Sequence, residues 1–206
     1  MRSGLAPVAG RTQIAGMNDD PESFSLQGKL LVAMPGMGDP RFARAVVFMC
    51  AHSSREAMGL IVNKPANGIS LSSLLKQLDI KAETEADPRV HVGGPVEHSR
   101  GFVLHSADYS SGGSTLRIPG GFALTATMDV LEDLARGTGP SQALLALGYA
   151  GWGAGQLERE VLLNGWLTCE ASHELVFGPD DDSKWERALR SIGVDPVTLS
   201  ATAGRA

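Results

Sequence analysis

Short runs of consecutive apolar residues dominate the early part of the chain. Leu30 to Met34, Ala45 to Ala51 and Gly59 to Val62 are each bounded by turn residues, and the second run is rich in Val and Phe. Such runs are typical of strands that are buried on both faces. The link 53–56 between the second and third runs is too short for a helical crossover. The pattern therefore predicts an antiparallel hairpin and argues against a purely parallel sheet.

Two segments follow the 3.6-residue period of an amphipathic helix. The first runs from about Ser70 to Asp79 and has a face formed by Leu71, Leu74, Leu75 and Leu78. The second is capped by Thr127 and ends at Gly137, with an apolar stripe formed by Val130, Leu131, Leu134 and Ala135. These two helices are the clearest local predictions in the sequence.

Other elements are shorter. Three runs separated by glycine-bearing turns predict three further strands, Arg89 to Val92, Phe102 to His105 and Thr115 to Ile118.

The segment from Ala143 to Trp152 fits a helix or a buried strand, but its glycines favour a strand that turns into a helix near Gln156. A last helix is predicted from the capping-box pair Ser183 and Glu186 to Gly193.

The domain organisation follows from where this periodicity starts and stops. Residues 1–27 are rich in Gly, Ser, Asn and Asp and show no period, which predicts a flexible N-terminal extension. No linker interrupts the pattern that follows, so residues 28–206 are expected to form a single α+β domain, with a frayed tail from about residue 195.

Composition and charge narrow the function classes. The chain has 18 Lys and Arg against 23 Asp and Glu, a net charge of −5, and no clustered basic segment, which disfavours direct nucleic-acid binding and an anionic membrane as a partner. The N-terminal region has no apolar stretch typical of a secretory signal. Two cysteines cannot form a disulfide framework or a zinc site unaided, and a cytoplasmic location is expected.

Three motifs that could carry chemistry have ordinary structural explanations. The glycines between Gly148 and Glu158 do not match a dinucleotide or P-loop pattern and favour a tight turn. His91, His98 and His105 recur every seven residues, but an intervening Gly-Gly-Pro excludes a single helix, and His105 is better explained as a core histidine. We therefore predict no metal site and no cofactor.

The pair Cys50 and His52 resembles a nucleophile and a base. At i and i+2 of one strand the two side chains are expected on the same face, where they would not be aimed at each other. No third group to orient the base is evident, so we interpret Cys50 as a small core residue.

Polar residues and turns at strand ends give a candidate ligand or partner surface, because binding residues concentrate on loops that a rigid scaffold positions. It comprises Pro35, Asp39, Asn63, Lys64, Pro65, Gly93, Gly94, Pro95 and His105. Asp39 also has a structural explanation as a helix cap, and the Gly-Gly-Pro segment has one as a turn.

Taken together, eight motifs in order resemble the YqgE/AlgH family of bacterial proteins. They are Leu30 to Pro35, Asp39 to Phe42, Ala57 to Pro65, Gly93 to Val96, Arg100 to His105, Leu124 to Leu131, Gly148 to Glu158 and Asn164 to Leu167. The resemblance covers about residue 27 to the end of the chain.

This resemblance implies a single α+β domain whose bifurcated, mostly antiparallel sheet folds into a pseudo-barrel flanked by helices. It implies no mechanism: the AlgH name comes from a proposed role in transcriptional regulation of alginate production. Two positions depart from the family pattern, Ala51 in place of a usual Glu before His52, and Arg205 in place of a terminal histidine.

The sequence leaves three function classes open. The first is a non-enzymatic regulatory module that acts through a protein partner or a small ligand and affects transcription. The second is an enzyme with a small-molecule site at the sheet rim, built from Asn63, Lys64, the turn Gly93 to Gly94, and His105. The third is a direct DNA-binding regulator, which the charge disfavours.

Overall fold

A computed structural model describes residues 25–84 and 88–199 of the chain. The predicted N-terminal extension falls almost entirely outside these ranges, as does the end of the predicted frayed tail. The prediction of a single domain over residues 28–206 stays a prediction.

Within the described residues the chain forms nine strands and five helices. The strands are β1 (Lys29–Ala33), β2 (Val46–His52), β3 (Glu56–Ile61), β4 (Val90–Val92), β5 (Val96–Ser106), β6 (Thr115–Ile118), β7 (Phe122–Thr125), β8 (Ala143–Gly153) and β9 (Trp166–Glu170). The helices are α1 (Leu71–Gln77), α2 (Met128–Arg136), α3 (Gln156–Leu162), α4 (His173–Phe177) and α5 (Asp181–Ser191).

The strands form one curled sheet in the order β6-β7-β5-β8-β3-β2-β1-β9, with β4 attached to β8 beside this path. Every pairing is antiparallel except β4 with β8, which is parallel. The sheet curls into a half-barrel, so the α+β class and the mostly antiparallel, pseudo-barrel architecture are confirmed.

The predicted hairpin between the second and third apolar runs is also confirmed. His52 pairs with Ala57, and the backbone N–H of Ser53 donates to the carbonyl of Glu56 at 2.9 Å. A bulge between Met49 and Ala51 interrupts the β2–β3 register. A bulge inserts an extra residue and shifts the alternation of side chains that follows it.

That bulge corrects the prediction for Cys50 and His52. Cys50 is buried in the core on one face of the sheet. His52 instead contacts Glu158 of α3, with 2.9 Å between Nε2 and Oε1, and α3 packs on the opposite face. The two side chains therefore do not share a face. Burial strongly raises the pKa of the Cys50 thiol, which agrees with its interpretation as a core residue.

The sheet has a buried cluster on each face because alternate residues of each strand point to opposite sides. One face, represented by Val32, Phe48 and Leu104, packs against α4 and α5. The other face is covered by α3 in one part and by α1 and α2 in the next.

The alternation of side chains along β8 shifts by one residue partway along the strand. Leu145 packs towards α1 and α2, whereas the even-numbered Ala150 and Trp152 lie on the side that α3 covers. Between them Gly148 has φ 72°, a left-handed conformation that side chains with a Cβ rarely adopt. This glycine therefore resets the alternation and lets one strand serve both parts of the sheet.

The helix boundaries agree closely with their sequence signals in two cases. Ser70 caps α1, its hydroxyl accepting from the backbone N–H of Ser73, and Thr127 and left-handed Gly137 bound α2. The start of α5 was wrong: Asp180 is its cap and accepts from the N–H of Ser183, so Ser183 lies inside the helix. Asp and Ser cap helices about equally well, so the sequence alone does not distinguish Asp180 from Ser183 as the cap.

Strands β7 and β9 and helix α4 were not predicted. β7 follows a turn in which Gly120 and Gly121 have φ 85° and 81°. A Gly-Gly pair between two short runs is a hairpin signal that could have revealed this strand. No helix in residues 25–84 or 88–199 is long and apolar enough to cross a membrane.

Candidate functional site

The fold brings two of the predicted surface motifs side by side. The backbone N–H of Val92 donates to the carbonyl of Lys64 at 2.8 Å, and Pro65 forms a bridge with His91. Because Gly93 follows directly, the Asn63 to Pro65 segment and the Gly-Gly-Pro segment are neighbours where the sheet bifurcates.

The polar side chains there are engaged with backbone. Asn63 accepts from the N–H of Val46 at 2.8 Å and donates to the carbonyl of Arg44 at 2.9 Å. Lys64 donates to the carbonyl of Arg41 at 2.7 Å. Partial burial lowers the pKa of Lys64, with the nearby Asp39 carboxylate opposing the shift. These contacts hold the segment before β2 against the end of β3.

Asp39 acts as the cap that the sequence suggested. Its carboxylate accepts from the backbone N–H of Arg41 and from its guanidinium, with 2.6 Å for the shortest contact. These hydrogen bonds lower the pKa of Asp39.

Gly93 and Gly94 lie where two backbone segments touch. A Cβ at residue 94 would be 2.1 Å from the carbonyl carbon of Tyr149, and one at residue 93 would be 2.3 Å from the carbonyl oxygen of Gly148. These distances allow only glycine, so a structural role explains both residues and much of the glycine-rich segment of β8.

Two predicted surface residues lie apart from this group. Pro35 borders a shallow depression of about 260 Å³ together with Trp185 and Val197. His105 is buried inside β5. Burial lowers its pKa, and a hydrogen bond with the backbone carbonyl of Ser106 opposes the shift.

Both ring nitrogens of His105 have partners. Nδ1 lies 2.8 Å from the carbonyl oxygen of Ser106 and therefore donates, which leaves Nε2 to accept from the hydroxyl of Thr125 at 2.9 Å. Thr125 in turn pairs with the hydroxyl of Thr115 at 2.9 Å. The arrangement is that of a satisfied core histidine, as the sequence reading favoured.

A larger opening lies on the face of the sheet that α1 and α2 cover. This apolar cavity has a volume of about 340 Å³. Its apolar walls are formed by Leu74 and Leu78 beside α1, Met128 and Leu131 of α2, Val103 of β5, and Leu145 and Leu147 of β8. Gly101 of β5 leaves room in the wall, since a Cβ there would meet only Leu145 at 4.0 Å.

Five polar residues also line the apolar cavity: Gln77, Ser99, Arg100, Thr125 and Thr127. The guanidinium of Arg100 pairs with Glu97 at 3.0 Å and stacks over the ring of Phe102 at 5.0 Å. Thr127, at the N-terminus of α2, has a buried hydroxyl without a hydrogen-bond partner among the described residues. Thr125 links the cavity wall to His105. Apolar walls with a few polar groups are typical of small-molecule sites.

A second opening, the polar cavity, lies on the other face of β8. It has a volume of about 200 Å³ and is lined by Arg89, His91, Leu144 and Lys184, among others. Behind it the carboxylate of Asp181 forms ion pairs with all three charged or ionisable neighbours, Arg89, His91 and Lys184. Burial alone would raise the pKa of Asp181, but these contacts outweigh it and hold the pKa well below its ordinary value.

Sequence reasoning missed this cluster because its members come from opposite ends of the domain. Arg89 and His91 belong to β4 and its approach, while Asp181 and Lys184 belong to α5. In the part of the chain that the structure describes, no group of three His, Cys, Asp or Glu side chains could hold a metal ion.

The fold defines the class: an α+β protein with a curled, bifurcated, mostly antiparallel sheet flanked by helices. Comparison with known proteins gives the family. A sequence profile described as AlgH-like (DUF179) matches residues 30–197, and the chain belongs to this family.

Individual relatives agree. A UPF0301 protein of Cereibacter sphaeroides is 59% identical over 184 residues, covering 89% of this chain and 100% of its own length. The solution structure of the AlgH protein from Pseudomonas aeruginosa matches with a TM-score of 0.70 and 39% identity, over 93% of this chain and 100% of that one.

A crystal structure from Corynebacterium diphtheriae matches with a TM-score of 0.65 at 20% identity, over 79% of this chain and 85% of that one, and supports the fold alone. The resemblance noted from the eight sequence motifs is thus confirmed.

Proposed function

We propose that this protein is a non-enzymatic regulatory module that binds a small amphipathic carboxylate in the apolar cavity. The observation that carries the proposal is the cavity itself, about 340 Å³ and walled by aliphatic side chains from two helices and two strands. An aliphatic or aromatic ligand body would be desolvated there at a gain of about 25 cal/mol per Å² of apolar surface removed from water.

Two polar groups argue for a hydrogen-bond-accepting end on the ligand. The hydroxyl of Thr127 is buried without a partner among the described residues, and a buried polar group of this kind normally has one. Arg100 lines the same cavity and carries a positive charge that Glu97 neutralises only at an exposed ion pair. A carboxylate suits both groups, since it accepts hydrogen bonds and pairs with Arg.

The exposed rim suggests how binding could be transmitted to a protein partner. Leu78 and Met128 border the cavity and are each 44% exposed, which is high for large apolar side chains. A ligand that covers them changes the apolar surface between α1 and α2. Such a change is a means of regulating a partner, and hence transcription, without contact between this acidic protein and DNA.

The test uses octanoate and the uncharged octanol as probes in a thermal-shift titration, because a ligand that binds only the folded state raises its apparent stability. We expect a saturable shift with octanoate and a weaker one with octanol. The variant Gly101→Leu places a side chain in the cavity wall and should abolish both shifts.

The matched control is Gly153→Leu. Gly153 also lies in a strand, and a Cβ there would have no neighbour within 4 Å. Equal shifts in the wild type and in both variants, or no shift with either probe, would refute binding in the apolar cavity.

One observation favours a second candidate, an esterase that acts on the same acyl chains. Thr125 lines the cavity, and its hydroxyl donates to His105, whose other nitrogen is fixed by Ser106. A hydroxyl, a base and an orienting group are the elements of a nucleophilic site.

Hydrolysis of p-nitrophenyl octanoate by the purified protein, lost in both Thr125→Val and His105→Gln, would replace the non-enzymatic proposal with this one. We expect no turnover above the buffer rate.

A further inference from the structure

The polar cavity carries an inference that is independent of the apolar one. It is enclosed by the end of β4, by β8 and by the loop that joins α4 to α5, with Leu144, Phe177 and Pro179 among its walls. Its volume of about 200 Å³ suits a molecule of a few non-hydrogen atoms. Three of its side chains, Arg89, His91 and Lys184, can carry positive charge.

The position of His91 is fixed by its strand. β4 pairs with β8 on one side, with His91 opposite Ala146, and with the segment after β3 on the other, where Pro65 bridges to His91. The imidazole is therefore held in the wall by backbone contacts on both sides of its strand. Its orientation does not depend on a flexible loop.

The ammonium group of Lys184 is held by two backbone carbonyls and by an ion pair. It donates to the carbonyls of Val62 and Val176, each at 2.8 Å, and lies 2.9 Å from Oδ1 of Asp181. Two of its three N–H groups therefore donate to backbone carbonyls, and its contact with Asp181 is an ion pair. We therefore assign Lys184 a structural role, in which it joins α5 to the end of β3 and contributes a fixed positive charge.

His91 is not satisfied in the same way. Its side chain is only 2% exposed, and its Nε2 lies 3.1 Å from Oδ1 of Asp181, at angles too poor for a hydrogen bond. Its Nδ1 has no hydrogen-bond partner in residues 25–84 and 88–199. Buried imidazole nitrogens normally have partners, so a ligand in the adjoining cavity would complete this one.

Arg89 adds donors at the opening. One of its nitrogens donates to Oδ2 of Asp181 at 2.9 Å, and its side chain is 48% exposed. A guanidinium has five N–H groups in a planar fork, so most of its donors remain for an oxyanion.

The net positive charge of the cluster favours an anionic ligand. Arg89 and Lys184 contribute two positive charges and Asp181 one negative charge, so the cluster has a net charge of +1 with His91 neutral and +2 with His91 protonated. This sum disfavours a metal ion, and the described residues offer no group of three metal-ligating side chains.

We propose that the polar cavity is a binding site for a small anion, a carboxylate or an inorganic oxyanion, held by the guanidinium of Arg89 and by a hydrogen bond to His91. The site lies on the opposite face of β8 from the proposed octanoate site. Failure of either proposal leaves the other standing.

The experiment follows the imidazole of His91 by NMR during separate titrations with acetate and with inorganic phosphate, at constant ionic strength set with chloride. We expect a saturable shift of the His91 ring resonances with at least one of the two anions. Saturation by acetate identifies a carboxylate site, and saturation by phosphate identifies an oxyanion site.

Arg89→Gln is the principal variant, because its side chain is about half exposed and Lys184 still forms an ion pair with Asp181 after the substitution. A urea denaturation curve checks that the variant is folded. We expect its affinity for the anion to fall about tenfold, as for the loss of a charge-assisted hydrogen bond. Arg136→Gln, an exposed arginine of α2 that is also paired with carboxylates, is the matched control and should bind as the wild type does.

His91→Gln tests the second contact, with anion binding measured by calorimetry because the reporting ring is absent. Three results would overturn the proposal: no saturation with either anion, the same response to chloride alone, or equal loss of affinity in Arg89→Gln and Arg136→Gln.

Discussion

The two cavities adjoin the same strand and differ in almost every physical respect. Leu144 borders the polar cavity and its neighbour Leu145 borders the apolar one, so adjacent residues of β8 serve opposite faces. The apolar cavity has aliphatic walls that contribute through surface burial, which depends little on direction. The polar cavity is backed by buried charges whose contacts depend on exact partners. The first should tolerate substitution and the second should not.

Removing the buried lysine of the polar cluster should produce the largest effect on stability. Lys184→Ala leaves Asp181 buried without its buried cation and deprives two carbonyls of their donor. We expect a loss of about 3–5 kcal/mol in the free energy of unfolding, measured by urea denaturation. Lys81→Ala, at an exposed position, should change it by less than about 0.5 kcal/mol. A similar loss of unfolding free energy in both lysine variants would contradict the view that the polar cluster does not tolerate substitution.

Acid should weaken the polar cluster specifically. The pKa of Asp181 is lower in the folded protein than its ordinary value of 3.8, so its stabilising contribution is fully present above about pH 4 and is lost as the pH falls towards the folded value. Urea denaturation near pH 6 and near pH 3 should show a smaller loss of stability in Asp181→Asn than in the wild type. An equal loss in both would show that other carboxylates carry the acid sensitivity.

Filling the apolar cavity should do little harm. Gly101→Leu replaces a flexible residue in a strand and buries its side chain against Leu145. We expect the free energy of unfolding to rise by about 0.5–1 kcal/mol. Gly153→Leu should show only the part of this rise that comes from replacing a flexible glycine, because its new side chain has no neighbour to pack against. A loss of more than about 1 kcal/mol in Gly101→Leu would mean that the cavity is rigid and that the two regions are equally intolerant.

The smallest effect on stability is expected at the mouth of the apolar cavity. Glu97→Gln breaks an exposed ion pair with Arg100 and should change the free energy of unfolding by less than about 0.5 kcal/mol. Because Arg100 is then free to pair with a ligand, octanoate should bind about twofold to fivefold more tightly in a calorimetric titration. Unchanged or weaker octanoate binding would show that Arg100 does not pair with the ligand.

The same contrast explains what could be predicted from sequence. The walls of the apolar cavity come from α1, α2 and β8, and the stripes of Leu71 to Leu78 and of Val130 to Ala135 are local, periodic signals. These signals predict both helices and the residues that each helix buries. The cavity between them could not be predicted, because it depends on how far apart the two helices pack.

The polar cluster had no local signal at all. His91 and Asp181 are ninety residues apart, and each alone has an ordinary explanation, one as a strand residue and the other as the first residue of a helix. The candidate surface, predicted from strand ends, stays a prediction, although the structure places two of its segments side by side at Lys64 and Val92. The sequence does not reveal that the side chains of Asn63 and Lys64 are already hydrogen-bonded to backbone groups.

The reset of the alternation at Gly148 has a consequence for how the protein unfolds. Strand β8 pairs with β4 and β5 along its first part and with β3 along its second, so both parts of the sheet depend on its hydrogen bonds. Neither part of the sheet can separate from the other without breaking the hydrogen bonds of β8. We therefore expect the amides of β8 to exchange with solvent only through global unfolding, and the two parts to unfold as one cooperative unit.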